Sequence, residues 1–209
     1  MGLLTYVELC FAWLMKNFRN HDARLFTKGP AFTSFPTSTI EVTSPSCGPS
    51  GSVLQPRYSQ VGEDDFPTLT WPAASPEIRE YILLFEDADM PLPGPLQQRV
   101  FHALCYSIPP SKTGVAAGDF EISRAEAKGG SVKGGFRFTK NIRGVAYVGA
   151  RPVLGHGPHR YFYQLVALKE PLDLTAFGGA PSKAQVAKAI EGKVAGWGAW
   201  VGVFERKWQ

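Results

Sequence analysis

Cysteine is scarce in this chain. Three residues in 209, Cys10, Cys47 and Cys105, stand far apart with no Cys-x-x-Cys pair. That count leaves room for at most one disulfide and excludes a stapled scaffold. It favours a reducing compartment, so a cytoplasmic location is expected. Cys105 sits in an apolar run and reads as a buried, inert thiol. His156 and His159 with Cys105 lack any zinc-ligand spacing, so no metal and no other cofactor is expected. Charge is thin as well. Charged residues make up 19%, the formal net charge is +4, and Lys and Arg are scattered without a run. Such a surface has no footprint for nucleic acid, although it suits a small anionic ligand. Internal repeats and low-complexity tracts are absent. Residues 3–15 are almost entirely apolar but too few to span a bilayer. They also lack the basic flank and small-residue cleavage site of a signal peptide, and Tyr6 breaks the myristoylation pattern.

Aromatics, glycine and proline are abundant. Phe, Trp and Tyr make up 12%, with 22 glycines and 17 prolines, the composition of a turn-rich β protein. The length suits one domain with its own core. Residues 1–27 read as an amphipathic helix and its connection, and 28–209 as a single domain. Leu4, Val7, Phe11, Leu14 and Phe18 recur at steps of three and four, a helical stripe. Packing of that stripe on the domain or on a twin subunit is favoured over a membrane surface by about two to one. Strands are expected at Thr39–Thr43, Thr68–Trp71, Tyr81–Phe85, Val100–Ile108, Tyr161–Leu168 and Trp200–Phe204, with a loose hairpin around Gly134-Gly135. Ser182–Val194 reads as a helix capped by Ser182, with Val186, Ile190 and Val194 on one face and Gly196 as its stop. The fold class is therefore mostly β with peripheral helices (α+β) and no βαβ rhythm.

Chemistry concentrates in two segments. Asp87-Ala88-Asp89-Met90-Pro91 follows the apolar run at Tyr81–Phe85, and His102 lies in the next strand. Alternate residues of an extended segment face one side, so Asp87 and Asp89 can share a mouth. Gly157-Pro158-His159-Arg160-Tyr161 precedes another strand, and its glycines leave backbone N–H groups suited to an anion. Arg160 beside Asp89 reads as a scaffold ion pair. His156, set between glycines, reads as a solvated loop residue. On spacing alone, Asp87, His102 and His159 are as readily turn caps and structural side chains as a site.

The order of Asp-x-Asp-x-Pro, a later His, and Gly-Pro-His-Arg-Tyr resembles the phosphatidylethanolamine-binding protein family, from Pro67 to Phe204. The resemblance implies a large central sheet packed on a smaller one, with a C-terminal helix beside a small anion pocket. The N-terminal helix is an addition to that fold. Asp87, His102, His159 and Tyr161 would line the pocket, with Arg151, Gly149, Pro152 and Gly157 as further ligand-binding positions. Ala88 stands where the family usually has proline, and Ala103 where Trp or Phe is common. The rim is Gly149-Ala150-Arg151-Pro152 rather than proline-rich. These departures point to a bulkier, acidic or anhydride-like ligand. The N-terminal helix, Pro45–Gly51 and Phe66–Trp71 look most like fungal members associated with maleidride (nonadride) polyketide pathways. This implies a carbon–carbon bond-forming cyclase that dimerises alkyl maleic anhydrides through a dienolate. Asp87 is the better base candidate and the imidazoles the better donors, with the reverse assignment left open. The other class is a non-catalytic phospholipid- or anion-binding regulator. A homodimer or a pathway partner protein is a candidate associate.

Overall fold

The run Glu80-Tyr81-Ile82-Leu83-Leu84-Phe85-Glu86-Asp87 is the spine of the molecule, an eight-residue strand with every residue buried. A strand buried on both faces needs a layer on each side, and the remaining chain supplies them. The computed structural model describes residues 2–97 and 99–208. In chain order these hold helix α1 (Leu3–Leu14), strands β1 (Ser52–Val53), β2 (Leu69–Thr70) and β3 (Glu80–Asp87), and the short helix α2 (Gly94–Gln97). Then come β4 (Ala103–Ile108), β5 (Gly114–Val115), β6 (Ile122–Ala125), β7 (Gly129–Val132), β8 (Arg137–Thr139) and β9 (His159–Leu168). Helix α3 (Lys183–Ala189) and strand β10 (Val194–Phe204) complete the chain.

The main sheet has eight strands in the order β1-β10-β9-β3-β4-β8-β7-β6, and β2 pairs with β5 in a small second sheet. Every pairing in the main sheet is antiparallel except β1 with β10, so the sheet is mixed. Tyr81, Leu83 and Phe85 of β3 face one core with Tyr163, Leu165 and Trp200. Ile82 and Leu84 face the other, with Val166, Val186, Ile190 and Phe26. This is the mostly β fold that the strand patterns led us to expect, with the large and small sheets that the family resemblance implies.

Four local expectations differ. Thr39–Thr43 forms no strand, only an isolated bridge from Thr43 to Thr70, because Thr39 and Ile40 spend their N–H groups on Trp197 O. Strand β4 begins at Ala103 rather than Val100. Helix α3 has the Ser182 cap, with its side chain accepting from Gln185 N, but ends near Ile190, where Gly192 at φ +75° turns the chain. Val194 already belongs to β10. The α3 stripe Val186/Ile190 covers the sheet face opposite Asp87, so the helix does not line the pocket; its Lys183 pairs with Glu86 Oε1 at 2.7 Å, and neither residue lines the cavity.

The largest difference concerns α1. Its expected packing stripe points outward: Leu4 is 83% exposed, Val7 57% and Leu14 70%. The docked side carries Glu8, Leu9, Ala12 and Met15 instead, with Ala12 buried. Polar contacts decide the orientation. Glu8 Oε1 accepts from Leu154 N at 2.9 Å and pairs with Arg206 Nη1 at 2.5 Å. Burial alone would raise the Glu8 carboxyl, but these two partners hold it below its ordinary value.

Candidate functional site

The register of β3 against β9 builds the site. Asp87 stands opposite Tyr161, so His159, two residues earlier on the same face, lies diagonally across from it. Asp87 Oδ2 and His159 Nδ1 are 2.8 Å apart, both side chains almost wholly buried. Asp87 Oδ1 accepts from Asp89 N at 2.8 Å. On the other side of β3, His102 N donates to Phe85 O at 2.8 Å, which sets the imidazole 4.6 Å from the Phe85 ring and edge-on to Tyr161. His102 Nδ1 lies 2.9 Å from Val148 O and 3.2 Å from Gly149 O. Carbonyls only accept, so Nδ1 carries the proton and Nε2 the lone pair when the ring is neutral. Burial pushes the His102 imidazole below its ordinary value, against the pull of the Asp87 carboxylate. No side chain among the described residues hydrogen-bonds Nε2.

These three side chains open onto a cavity of about 380 Å³, walled by apolar groups such as Met90, Leu92, Phe101 and Val148. Pro152 and Val153 add to the wall, and the exposed Arg143 and Arg151 stand at the rim. Gly149 lies behind the surface. Its carbonyl also receives Gln60 Nε2 at 2.9 Å and its N–H donates to Asp64 Oδ1 at 2.7 Å. A side chain there would overlap Asp64 and come within 2.9 Å of Tyr58 O, so glycine permits the approach that holds the His102 acceptor in place.

The remaining positions singled out from the sequence divide as follows. Tyr161 lies beneath the pocket with no exposed surface, packed on His102 and Phe85, and does not touch the cavity. Gly157 is likewise off the cavity, at φ +93° beside the Arg19 guanidinium. Two amides of its loop are also already spent. Gly155 N donates to Arg206 O and His156 N to Val153 O. Asp89 and Arg160 form a two-point pair, Nε to Oδ2 at 2.8 Å and Nη2 to Oδ1 at 2.9 Å, and Asp22 closes the other side of the guanidinium at 2.8 Å. Burial opposes the Asp89 charge, but Arg160 and the amides of Asn20 and Arg160 hold its pKa at about 2.

His156 overturns its sequence reading. It is 4% exposed, its Nδ1 is 2.7 Å from His159 Nε2, and its Nε2 is 2.9 Å from Met15 O at the end of α1. Both nitrogens of His159 are thereby engaged within the protein, so His159 offers no free donor to a ligand. Sequence reasoning also missed Gln60, Asp64 and Arg143. The first two lie far from the motifs in sequence, and nothing local marks them. His156 had a signal, the i, i+3 spacing to His159. Among the described residues, no group of three His, Cys, Asp or Glu side chains is placed to hold a metal, and no helix is long and apolar enough to cross a membrane.

The family model described as phosphatidylethanolamine-binding protein matches residues 44–205, which include all of these motif residues. The chain belongs to this family. It is 42% identical over 208 residues to "Phomoidride biosynthesis cluster protein B" of Fungal sp. (strain ATCC 74256), covering 99% of this chain and 98% of that one. It is 40% identical to the protein of the same name from Talaromyces stipitatus, covering 99% and 86%. Among solved structures, a phosphatidylethanolamine-binding protein homolog from Chlamydia trachomatis superposes with a TM-score of 0.62 at 20% identity, covering 81% of this chain and 99% of that chain. That likeness shows the same fold.

Proposed function

We propose that this family member serves a fungal maleidride pathway, where it dimerises alkyl maleic anhydrides through a dienolate. The pathway reading is supported by end-to-end similarity to two proteins named for phomoidride biosynthesis. The chemistry rests on one observation: His102 is anchored at Nδ1 and aims an unpartnered Nε2 at an apolar cavity with a cationic rim. A neutral imidazole in that state is a base. It takes a proton from the alkyl carbon vinylogous to an anhydride carbonyl, and the electron pair moves onto the anhydride oxygen. The carbon terminus of the dienolate then attacks the second anhydride, and the ring-held proton returns to the product enolate. Arg143 and Arg151 attract the acidic substrate and offset charge on oxygen. Asp87 acts differently in this assignment from its sequence-based role as base. Both of its oxygens are already bonded, so it serves as the charge partner of His159.

The test is to incubate the protein with an alkyl maleic anhydride in deuterated water, following exchange at the vinylogous carbon and dimeric product. His102→Gln should lower exchange by roughly 10²–10⁴-fold, the usual worth of a positioned base. Asp87→Asn should retain more activity than His102→Gln. Full activity in His102→Gln rejects it as the base, and tight binding without exchange in any form would make the protein a binder rather than a catalyst.

A further inference from the structure

Behind the pocket lies an array of which the proposed reaction uses only the Asp87–His159 pair. Met15 O, His156, His159 and Asp87 are joined in a row by contacts of 2.9, 2.7 and 2.8 Å. Each of the three links needs one proton. Met15 O is a carbonyl and can only accept, so His156 must carry its proton on Nε2. A neutral His156 then presents a lone pair at Nδ1, and His159 must donate from Nε2. Its remaining nitrogen, Nδ1, faces a carboxylate. Two neutral imidazoles bring two N–H protons, and three links need three.

We propose that His156 is a positioning residue: the carbonyl at the C-terminal end of α1 fixes its tautomer and thereby makes the Asp87–His159–His156 array hold one proton beyond two neutral imidazoles and a carboxylate. The array is then net neutral rather than singly negative. Its consequence falls on His102, for which Asp87 is the larger anionic influence and Asp64 the lesser one. A compensated Asp87 leaves His102 neutral and free to accept a proton; an uncompensated one would draw a proton onto it.

The surroundings decide where the extra proton sits. Burial, His159 and the Arg19 guanidinium all depress the His156 imidazole, while Met15 O and Asp87 pull the other way. Arg19 donates to Pro158 O from the α1 side, so a fixed cation already stands by this ring. His156 already spends one N–H on Met15 O and faces His159 with the other nitrogen, so the link that takes the extra proton is the one between His159 Nδ1 and the Asp87 carboxylate. Helix α1 thus contributes a working group to the site, and Glu8, clamped to Leu154 N, holds that helix end in register.

This inference concerns the same pocket as the proposed reaction but stands without it, and it is read without substrate. Imidazole ring nitrogens of the ¹⁵N-labelled full chain would be followed by NMR from pH 5 to 9. At pH 8, His159 should show both ring nitrogens protonated and His156 a proton on Nε2 alone. His156→Ala removes the acceptor for His159 Nε2–H and should move the His102 titration upward. His156→Asn, whose side-chain oxygen reaches the place of Nδ1, should restore the wild-type midpoint. Two neutral imidazoles at pH 8, or a His156 protonated at Nδ1, overturn the proposal, as does an unmoved His102 midpoint in His156→Ala. If that variant does not fold, the wild-type spectrum alone decides.

Discussion

The paired motif segments and the outer face of α1 are opposites. In the former, Asp87, Asp89 and His159 are buried, and the side-chain oxygens and nitrogens of these three residues all have partners inside the protein. On α1, one face is held by polar contacts while Leu3, Leu4, Trp13 and Leu14 stand bare at 69–83% exposure. The comparison teaches where each kind of information sits. Polar groups that cannot reach water must find partners, so their positions are over-determined. An apolar stripe on a helix declares a period, but three well-placed hydrogen bonds can decide which side docks. Between these extremes lies His102, saturated at one nitrogen and open at the other, and it is there that chemistry has room to occur.

The comparison breaks most directly at Asp89. Asp89→Ala leaves Arg160 with Asp22 as its one carboxylate partner, beside the Asn20 side-chain oxygen, and strands the amides of Asn20 and Arg160, at an expected cost of about 3 kcal/mol. Urea denaturation measures it; a loss below about 0.5 kcal/mol, the level of ordinary surface changes, would mean that the over-determination is illusory. The sign with pH follows from the depressed Asp89 value. Its stabilisation is fully present above the unfolded value near 3.9 and is lost as pH falls through about 2. Asp89→Asn should flatten that acid limb.

Much of the fold was legible because a few segments carry unambiguous patterns. The apolar run between Glu80 and Glu86 could only be a strand covered on both faces. Asp87, His102 and His159 were brought together by the family resemblance rather than by their spacing, and the three line one cavity. What was illegible depends on partners distant in sequence. Met15 lies 141 residues from His156, so glycine neighbours suggested solvent where the fold supplies burial. Tyr161 alternates correctly with His159, yet it lies under Phe85 and His102 rather than in the wall. Val194 has the right spacing to continue α3, but Gly192 turns the chain first. The base assignment changed for the same kind of reason, because nothing local shows that both oxygens of Asp87 are already occupied.

The open nitrogen of His102 sharpens the contrast through an anion whose own charge does not titrate. Sulfate needs a donor, and neutral His102 offers only a lone pair at Nε2. Binding therefore requires the protonated ring and should tighten as pH falls. In the absence of sulfate the sign is fixed by burial. The folded His102 value is depressed, so its contribution to stability is lost as pH drops below the unfolded value near 6.5. Sulfate should offset that loss at pH 5, by about 1.4 kcal/mol at ten times Kd, and do little at pH 8. Thermal melts at both pH values measure this. Equal stabilisation at both would assign anion binding to Arg143 and Arg151 alone.

The smallest effect is expected on the bare face of α1. Leu4 and Val7 touch little of the domain, so Leu4→Ser and Val7→Ser remove almost no buried apolar area and should each change stability by less than about 0.5 kcal/mol. Ala12 is the contrasting control. It is the buried position of the helix, and Ala12→Asp places an unpaired carboxylate against the loop that carries His156. The outward pair should leave the His156 and His159 ring signals where they are, because the helix is held by Glu8, Leu9 and Met15 on its other side. Ala12→Asp should disturb them. If Leu4→Ser or Val7→Ser costs 2 kcal/mol or more, on the scale of fully burying an aliphatic side chain, then the outer face is covered in solution, and concentration-dependent melting would reveal a second copy as the cover.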